Sequence, residues 1–563
     1  MSGDPFWQGS PDWFSKLIAD MKRHTLLIIA QLSFCLCTHA QAPASAQAPA
    51  PASASAQAQT PDPASARAQA PTHPPLTFQS SDTALQGAFY RAKAMALHYQ
   101  GAPNDPVGPW YESALPPRNA FCMRDVSHQS IAAEVLGLSR ANENMFTRFA
   151  QNISSSKDWC TYWEMNREGR PAPEDYRNDT AFWYNLNANF DLLYACWKLY
   201  LWTGNRLYIE GPVFASFHRL TVTDFIRSWV LQPDSLLTRP AHPNAPASFD
   251  INDNFYRCRG LPSYSEGVPN IKMGVDLVAA IFRGLLTYAS ILEVRGHPQE
   301  AVQYAQLAAA YQQRIDADWW DDQAALYHTY YSNDGHFGKT EGETFLLWFD
   351  ALKDSTRRSK TIEHLLAGNW NMENLSYFPY QLYRLGYPDQ AYRYMLHLTD
   401  PSTPRREYPE VSYGVLGAFV QGLMGIEPDA RARLVATLYR GSSPHDGSPQ
   451  GSSPLGSSPN GSGSPNGSTP NSKGLDKTMV ALQHIPLLGT YISVTHRSGT
   501  STIFTNEGVD RLIWRARFAG KHASIVAGGK RVVAQEDKDA AGHTISFADI
   551  VVPPHATITA SIR

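Results

Sequence analysis

LGLS (136–139) is the first of six tight turns that decide the fold of this chain. The other five are WTGN (202–205), RGHP (295–298), KDS (353–355), LGYPD (385–389) and MGIEPD (424–429). Each turn combines a helix stop with a helix start, because Gly favours the left-handed end of one helix and Asp, Ser or Pro opens the next. The turns therefore predict six helical hairpins between Arg124 and about residue 438.

Each predicted hairpin has a first helix, a tight turn and a second helix. The predicted first helices span about 125–137, 179–203, 271–295, 341–352, 373–385 and 410–424. The predicted second helices span about 141–153, 206–231, 298–317, 355–367, 388–399 and 428–438. The return loops vary in length, so this is a structural repeat and not a strict sequence period. It predicts a toroid of six antiparallel hairpins, with function at the end that carries the long loops.

The composition is typical of a large globular enzyme. Charged residues make up 18% of the 563 residues, aromatic residues make up 12%, and the formal net charge is -3. This balance excludes a strongly basic surface for nucleic acid. The 14 Trp and 27 Tyr fit either aromatic walls for a sugar or a thick helical core.

The N-terminal region indicates export. Residues 21–40 have a basic start, an apolar run too short to span a bilayer comfortably, and a THA end that fits a signal peptidase. We therefore expect a signal peptide that starts near Met21 and is cleaved near Ala40, with a short extension before it. The mature protein is expected to be secreted or periplasmic, with no stable membrane insertion.

Changes in composition predict the other domain boundaries. Residues 41–75 are almost entirely Ala, Pro, Gln and Ser, and 441–473 are rich in Gly, Ser and Pro, so both are predicted linkers. The helical domain is predicted at 76–440. From about residue 484 the pattern alternates apolar with polar, and GG at 528–529 predicts a hairpin turn. We expect a small antiparallel β-sandwich over 474–563.

The cysteines do not indicate a metal or a disulfide framework. Export would leave Cys122, Cys160, Cys196 and Cys258, with no CxxC pattern for zinc. Either one disulfide, Cys122 with Cys160, or buried free thiols would fit. DINDN at 250–254 lacks the glycine and closing Glu of a calcium loop, so a structural turn is favoured. No cofactor is expected.

The first candidate for chemistry is FCMRDVSHQ at 121–129. Arg124 and Asp125 offer hydrogen-bond donors beside an acceptor, which suits a grip on two neighbouring hydroxyl groups. His128 lies one helical turn further along the same face. Helix capping by Asp125 is the structural alternative.

The second candidate is the loop 155–180, which combines aromatic rings with acids. Carboxyl groups among rings are those whose pKa desolvation raises toward the value that a general acid needs. The alternatives are an N-cap at Asp179 and a salt bridge at Glu164. The candidate acids are Asp179, Asp175 and Glu164, and the candidate sugar-stacking rings are Trp159, Trp163 and Trp183.

The third candidate is RREYPEVSYG at 405–414. Glu410 is expected at the start of a first helix, where the helix dipole favours an ionised carboxylate, so a general base is predicted. The same dipole effect without catalysis is the alternative. Weaker candidates that also precede or begin first helices are Glu266 and Glu373, expected to bind substrate, together with Glu341 and Glu343.

With these motifs the chain resembles the six-hairpin glycosidase superfamily, the enzymes built on an (α/α)6 barrel. The resemblance covers about 80–440 and extends to the appended β-domain. It implies that Arg124 and Asp125 hold the sugar, that the loop before FWY delivers the general acid, and that Glu410 is the base on the last hairpin. The GluGlu doublet of glucoamylases is absent, so Asp175 or Asp179 takes that place.

The sequence therefore predicts an exported (α/α)6-barrel glycoside hydrolase that inverts the configuration of a poly- or oligosaccharide. Inversion requires two carboxyl groups about 6.5–9.5 Å apart, with room for water. A polysaccharide lyase or a sugar epimerase on the same toroid is an alternative, with His128 and Arg124, Tyr162 or Tyr176 as its catalytic groups. A carbohydrate-binding protein without catalysis is the third.

Overall fold

The computed structural model describes residues 74–115, 118–441 and 479–562. The predicted signal segment (21–40) and nearly all of the predicted linkers (41–75 and 441–473) lie outside these ranges. The described residues from Leu76 onward form one compact unit.

Twelve α-helices of six or more residues occur within the described ranges. They are α1 Thr83–His98, α2 Met123–Val135, α3 Ser139–Gln151, α4 Ala188–Thr203, α5 Pro212–Leu220, α6 Val275–Val294, α7 Pro298–Asp318, α8 Glu343–Trp348, α9 Ser355–Ala367, α10 Met372–Arg384, α11 Pro388–Thr399 and α12 Pro409–Gly417. Two π-helical segments, Thr221–Phe225 and Ala418–Leu423, continue α5 and α12.

Six of these helices pack side by side in a closed ring. The order is α2, α4, α6, α8, α10 and α12, and α12 returns to contact α2. Each of these inner helices has an outer neighbour, and α12 takes α1 as its partner. The inner helices are the predicted first helices of the hairpins, so five predicted hairpins are confirmed and the sixth pairing is different.

The turns form for the predicted reasons. Gly137 and Gly204 adopt positive φ values of 82° and 77°, which favour glycine. At the fourth turn Asp354 caps α9, where its Oδ1 accepts hydrogen bonds from the backbone N–H groups of Thr356 and Arg357 at 2.8 and 2.9 Å. Local capping chemistry therefore sets where the hairpins reverse.

Three predicted helical segments are wrong. Residues 428–438 contain two strands, because they pair with the C-terminal sheet, and α1 supplies the missing outer helix. Residues 179–187 contain short strands, so α4 begins at Ala188. Residues 271–274 form a strand that precedes α6.

Short strands lie before α1 and in the loops between helices. They are β1 Thr77–Ser80, β2 Ala120–Cys122, β3 Glu164–Asn166, β4 Tyr176–Asn178, β5 Ala181–Phe182, β6 Tyr184–Asn185, β7 Arg259–Leu261, β8 Ile271–Gly274, β9 Trp320–Asp321, β10 Leu326–Tyr327, β11 Tyr330–Ser332 and β12 Phe337–Gly338. Most of them brace the long loops at the N-terminal ends of the inner helices.

The remaining strands belong to two larger sheets. They are β13 Glu427–Asp429, β14 Leu434–Thr437, β15 Met479–Leu487, β16 Thr490–Arg497, β17 Ser501–Asn506, β18 Leu512–Ala519, β19 Ser524–Ala527, β20 Lys530–Val533, β21 Gln535–Lys538, β22 Thr544–Val552 and β23 Thr557–Ser561.

The two sheets include strands that precede the helical ring in the sequence and strands that follow it. Their strand orders are β1-β15-β16-β17-β23-β19-β20 and β13-β14-β18-β22-β21. Phe504 of β17 stacks on Trp514 of β18 with ring centroids 5.1 Å apart, and both rings are fully buried. Gly528 and Gly529 form the predicted hairpin turn, with φ of 54° and 81°.

One described helix, α6, is long and apolar enough to cross a membrane by length and composition, but 94% of its most apolar stretch is buried inside the protein.

Candidate active site

Five carboxyl groups meet one guanidinium at the N-terminal ends of the inner helices. Hydrogen bonds, ion pairs or electrostatic interactions connect each of them to Arg124, and within the described residues Arg124 is the one cation that they share. The carboxyl groups are those of Asp125, Glu266, Glu341, Glu373 and Glu410. This end of the ring carries the long loops, as the repeat predicts. We call these five carboxyl groups, together with Arg124, the carboxyl cluster.

Arg124 is held on all sides. Its Nε lies 2.9 Å from Asp125 Oδ1, and its Nη1 lies 2.6 Å from Glu373 Oε1. The guanidinium also lies 5.0 Å from the ring centroid of Tyr264 and 5.9 Å from that of Trp163. Two carboxylates and two aromatic faces therefore fix its position and its charge.

Burial and neighbouring carboxyl groups favour the protonated form of two acids in the cluster. The pKa of Glu410 rises to about 8, because Glu410 is desolvated and lies near Asp125 and Glu373. The pKa of Glu266 rises to about 7, again through burial and then Glu373, although Arg124 opposes the shift. The helix N-terminus was expected to keep Glu410 ionised, and that expectation is wrong because these effects outweigh the helix dipole.

Glu266 remains accessible to solvent, although the protein atoms around it desolvate its carboxyl group enough to raise its pKa. Its side chain is exposed, and its Oε1 accepts a hydrogen bond of 3.0 Å from Asn185 Nδ2. Trp183 Nε1 donates to the other end of the same amide, at 2.9 Å from Asn185 Oδ1. Trp183 is thereby connected to the cluster through Asn185.

His128 belongs to a buried hydrogen-bonded network behind Arg124. Its Nε2 lies 2.8 Å from Asp191 Oδ1, and its Nδ1 lies 2.7 Å from Tyr377 Oη. The second oxygen of Asp191 accepts a hydrogen bond from Tyr264 Oη, beneath the Arg124 guanidinium. Sequence reasoning missed Asp191, Tyr264 and Tyr377; an aspartate inside the apolar helix α4 was the available signal.

The loop 155–180 forms a second acidic site beside the cluster. Arg118 Nη1 lies 2.8 Å from Glu164 Oε2 and 3.1 Å from Asp175 Oδ2. Burial raises the pKa of both acids, that of Glu164 to about 8. Since Cys122 pairs with Glu164 across β2 and β3, this site lies next to the start of α2.

Asp179 lacks the environment of a general acid. Burial raises its pKa, but hydrogen bonds from Ser156 and Tyr176 outweigh burial and hold that pKa below its usual range. Tyr176 Oη lies 2.5 Å from Asp179 Oδ1, and Lys157 Nζ lies 3.9 Å away. These partners belong to the loop itself, so we withdraw the prediction that Asp179 is the acid.

The other predicted residues divide between the cluster and the scaffold. Trp163 contacts Arg124, whereas Trp159 adopts a left-handed φ of 66° and accepts a hydrogen bond from Asn189 through its backbone carbonyl. Glu343 is buried, with its Oε2 2.5 Å from His364 Nδ1, in a pair separate from Arg124.

Two cavities adjoin the cluster. The central cavity has a volume of about 40 Å³ and is lined by Asp125, His128, Trp348, Tyr377, Glu410 and Tyr413, among others. The side cavity has a volume of about 250 Å³ and is lined by Glu266 and by residues of the loops 241–243, 257–262 and 267–271. Glu266 lines the side cavity, and its carboxyl group interacts electrostatically with Asp125, which lines the central cavity.

The cysteines and potential metal ligands supply no alternative centre in the described ranges. Cys122, Cys160, Cys196 and Cys258 are buried free thiols, so the structure lacks the Cys122–Cys160 disulfide that was one of two expectations. No group of three or more His, Cys, Asp or Glu residues among the described ones is arranged to hold a metal ion.

Comparison with known proteins gives a likeness in structure alone. No family model matches the sequence, and no curated protein matches it. The α-L-rhamnosidase from Dictyoglumus thermophilum is similar over 87% of this chain and 50% of its own, with 11% identity and a TM-score of 0.53. The predicted resemblance to six-hairpin glycosidases is therefore confirmed at the level of fold.

Two further solved structures have lower TM-scores. A GH78 family rhamnosidase of Bacillus sp. GL1 is similar over 76% of this chain and 40% of its own, with 13% identity and a TM-score of 0.46. A putative kojibiose phosphorylase from the human microbiome covers 86% of this chain and 68% of its own, with 9% identity and a TM-score of 0.46. The chain thus spans half or less of the two rhamnosidases.

Proposed function

We propose that this protein is a glycoside hydrolase that cleaves a poly- or oligosaccharide with inversion of configuration. One observation carries the proposal: five carboxyl groups interact with a single arginine at the end that carries the long loops, and two of them, Glu266 and Glu410, have pKa values raised to about 7 and about 8. A pair of carboxyl groups that exchange one proton near neutral pH is what glycoside hydrolysis requires.

In this proposal Glu266 is the general acid and Glu410 is the general base. The acid must reach the oxygen that joins two sugars, and Glu266 lines the side cavity while it interacts electrostatically with Asp125 of the central cavity. The base must hold a water against the terminal sugar, and Glu410 lines the central cavity. Position decides the roles here, because the two pKa values differ by only about one unit and geometry takes precedence.

The surrounding groups hold the terminal sugar next to the central cavity. Arg124 donates to hydroxyl groups while Asp125 and Glu373 keep it oriented. The rings of Trp348, Tyr377 and Tyr413 supply apolar faces for the sugar. In the same proposal the closed ring with α1 as its twelfth helix is a complete (α/α)6 barrel, the two sheets form a sandwich, and the mature enzyme acts outside the cytoplasm.

The observations favour hydrolysis over a lyase or an epimerase. Such an enzyme needs a His or Tyr base, but both ring nitrogens of His128 are already hydrogen-bonded. Burial raises the pKa of Tyr264 and Tyr377 well above the usual value, and that of Tyr162 and Tyr176 is raised as well. These residues therefore resist deprotonation near neutral pH.

The test is to digest a panel of glycans, with rhamnosides included, and to identify the products by mass spectrometry and nuclear magnetic resonance. A hydrolase adds water and leaves a saturated sugar whose first-formed anomer is opposite to that of the substrate. An unsaturated product that absorbs ultraviolet light would establish a lyase instead. Binding of panel sugars without any product would establish the non-catalytic alternative.

A further inference from the structure

The side cavity is lined by both apolar and polar side chains. Leu261, Val268 and Ile271 are apolar neighbours of one another, and Arg257, His242, Asn333 and Glu266 provide polar groups. The volume of the cavity is about 250 Å³. A lining that combines apolar side chains with hydrogen-bonding groups suits a sugar ring, which has an apolar face and polar edges.

Two arginines line this cavity, and one of them lacks a carboxylate partner among the described residues. The described partners of Arg257 are the amide oxygen of Asn254 and the thiol of Cys258. By contrast, Arg259 pairs with Asp158.

The remaining titratable groups at the cavity do not cancel this charge. Burial and the nearby Arg239 lower the pKa of His242, so its ring is neutral at neutral pH. Glu266, as the proposed acid, is neutral when it is ready to react. Arg257 therefore presents a guanidinium without a carboxylate partner to the cavity, and a ligand that brings a negative charge can form a charge-assisted hydrogen bond with it.

We propose that the side cavity binds an acidic sugar, a uronate, as the leaving-group side of the cleaved bond. The assignment to the leaving-group side rests on the proposed function, in which Glu266, a residue that lines this cavity, is the general acid that protonates the leaving group. The uronate carboxylate accepts hydrogen bonds from Arg257, and the sugar ring packs on Leu261 and Ile271. The substrate class is therefore a glycan in which the released terminal sugar is attached to a uronic acid.

Direct binding tests the proposal without turnover. Galacturonate and glucuronate are titrated into the full chain beside their methyl esters, which remove only the charge, with ligand-detected nuclear magnetic resonance as the readout. At least one acid is expected to bind about fivefold more tightly than its ester at low salt, and high salt is expected to reduce the difference. Equal binding of acid and ester in both pairs would overturn the proposal.

Arg257→Gln locates the effect. Arg257 is exposed, so the variant keeps the fold, and the preference for the acid is expected to fall below about twofold. Arg177→Gln is the matched control, because Arg177 is also exposed but pairs with Asp253 at 2.8 Å and does not line the cavity. A preference that Arg257→Gln leaves intact would overturn the assignment of the site.

The two proposals fail separately. A preserved uronate preference with no hydrolysis of any glycan would remove the proposed function and leave the binding site. Hydrolysis of a neutral glycan without any uronate preference would remove the binding site and leave the hydrolase.

Discussion

Glu266→Gln and Glu410→Gln should respond in opposite ways to the leaving group of the substrate. Glutamine cannot deliver the proton that a poor leaving group needs, so Glu266→Gln should lower kcat/KM on a disaccharide by about 10²–10⁴-fold. A dinitrophenyl glycoside of the same sugar leaves without protonation, so the same variant should lose little activity on it. Glu410→Gln should be slow on both substrates, because neither supplies a base.

The structure sets how much of the free enzyme is ready to react. The pKa values of about 7 for Glu266 and about 8 for Glu410 differ by about one unit, which is about 1.4 kcal/mol. The higher value belongs to Glu410, so molecules that carry one proton on this pair hold it more often on Glu410 than on Glu266, which is the productive arrangement. The observed rate at the optimum should therefore be below the rate of that productive form.

The assay is steady-state kinetics on both substrates, with azide as a substitute nucleophile. Azide should restore turnover of Glu410→Gln on the dinitrophenyl glycoside and give a glycosyl azide of the opposite anomer. Glu168→Gln is the control, since Glu168 is an exposed acid paired with Arg167 on the surface. If the good leaving group restores Glu410→Gln instead of Glu266→Gln, the roles are exchanged and the argument from position is refuted.

Three further outcomes follow from the same structure. The pH profile of kcat/KM should be bell-shaped with limbs near pH 7 and pH 8, because the base must lose a proton and the acid must keep one; a flat profile from pH 6 to 9 would contradict the pair. Glu427→Gln should destabilise the fold by about 3–5 kcal/mol in thermal denaturation, because it leaves two arginines buried without a partner, whereas Glu210→Gln at an exposed pair should cost under about 1 kcal/mol. N-terminal sequencing of the exported protein should begin near Gln41, and a start at Met1 would refute the predicted cleavage.

The hairpins could be predicted from sequence because local chemistry determines them. A glycine at a positive φ, as at Gly204, or an Asp cap, as at Asp354, acts within four residues of its own position. The prediction of the sixth hairpin is wrong because distant parts of the chain determine the structure there. Residues 434–437 pair in parallel with 513–516, and the outer helix comes from the beginning of the chain. Such distant pairings override local propensity and leave no local signal.

The location of the site could be predicted from the sequence, but the protonation states of its carboxyl groups could not. Four of the five cluster carboxyls lie just before or at the start of an inner helix, where the sequence pattern places candidates, and Glu266 lies in the loop before β8 and α6. Helix capping would explain acids at these positions equally well. A catalytic acid differs from a capping acid in its neighbours from other hairpins, which change its pKa. The pKa of Glu410 depends on Asp125 and Glu373, and that of Glu266 on the same two residues. Those contacts exist only after the ring closes.

Two desolvated glutamates, one buried and one partly exposed, show why the neighbours identify a functional acid. Glu427 is desolvated, yet Arg517 at 2.5 Å and Arg440 at 2.6 Å hold its pKa down to about 2, so its charge is balanced and the protein is more stable with it. Glu410 is also desolvated, but it faces like charges, and its pKa rises to about 8. A carboxyl group with a raised pKa loses stability for the fold as pH rises through that value, so the fold gains nothing from keeping Glu410 ionised. A glutamate whose ionised form lowers the stability of the fold is better explained by a catalytic role than by a structural one. We therefore assign Glu410 to the mechanism and Glu427 to the scaffold.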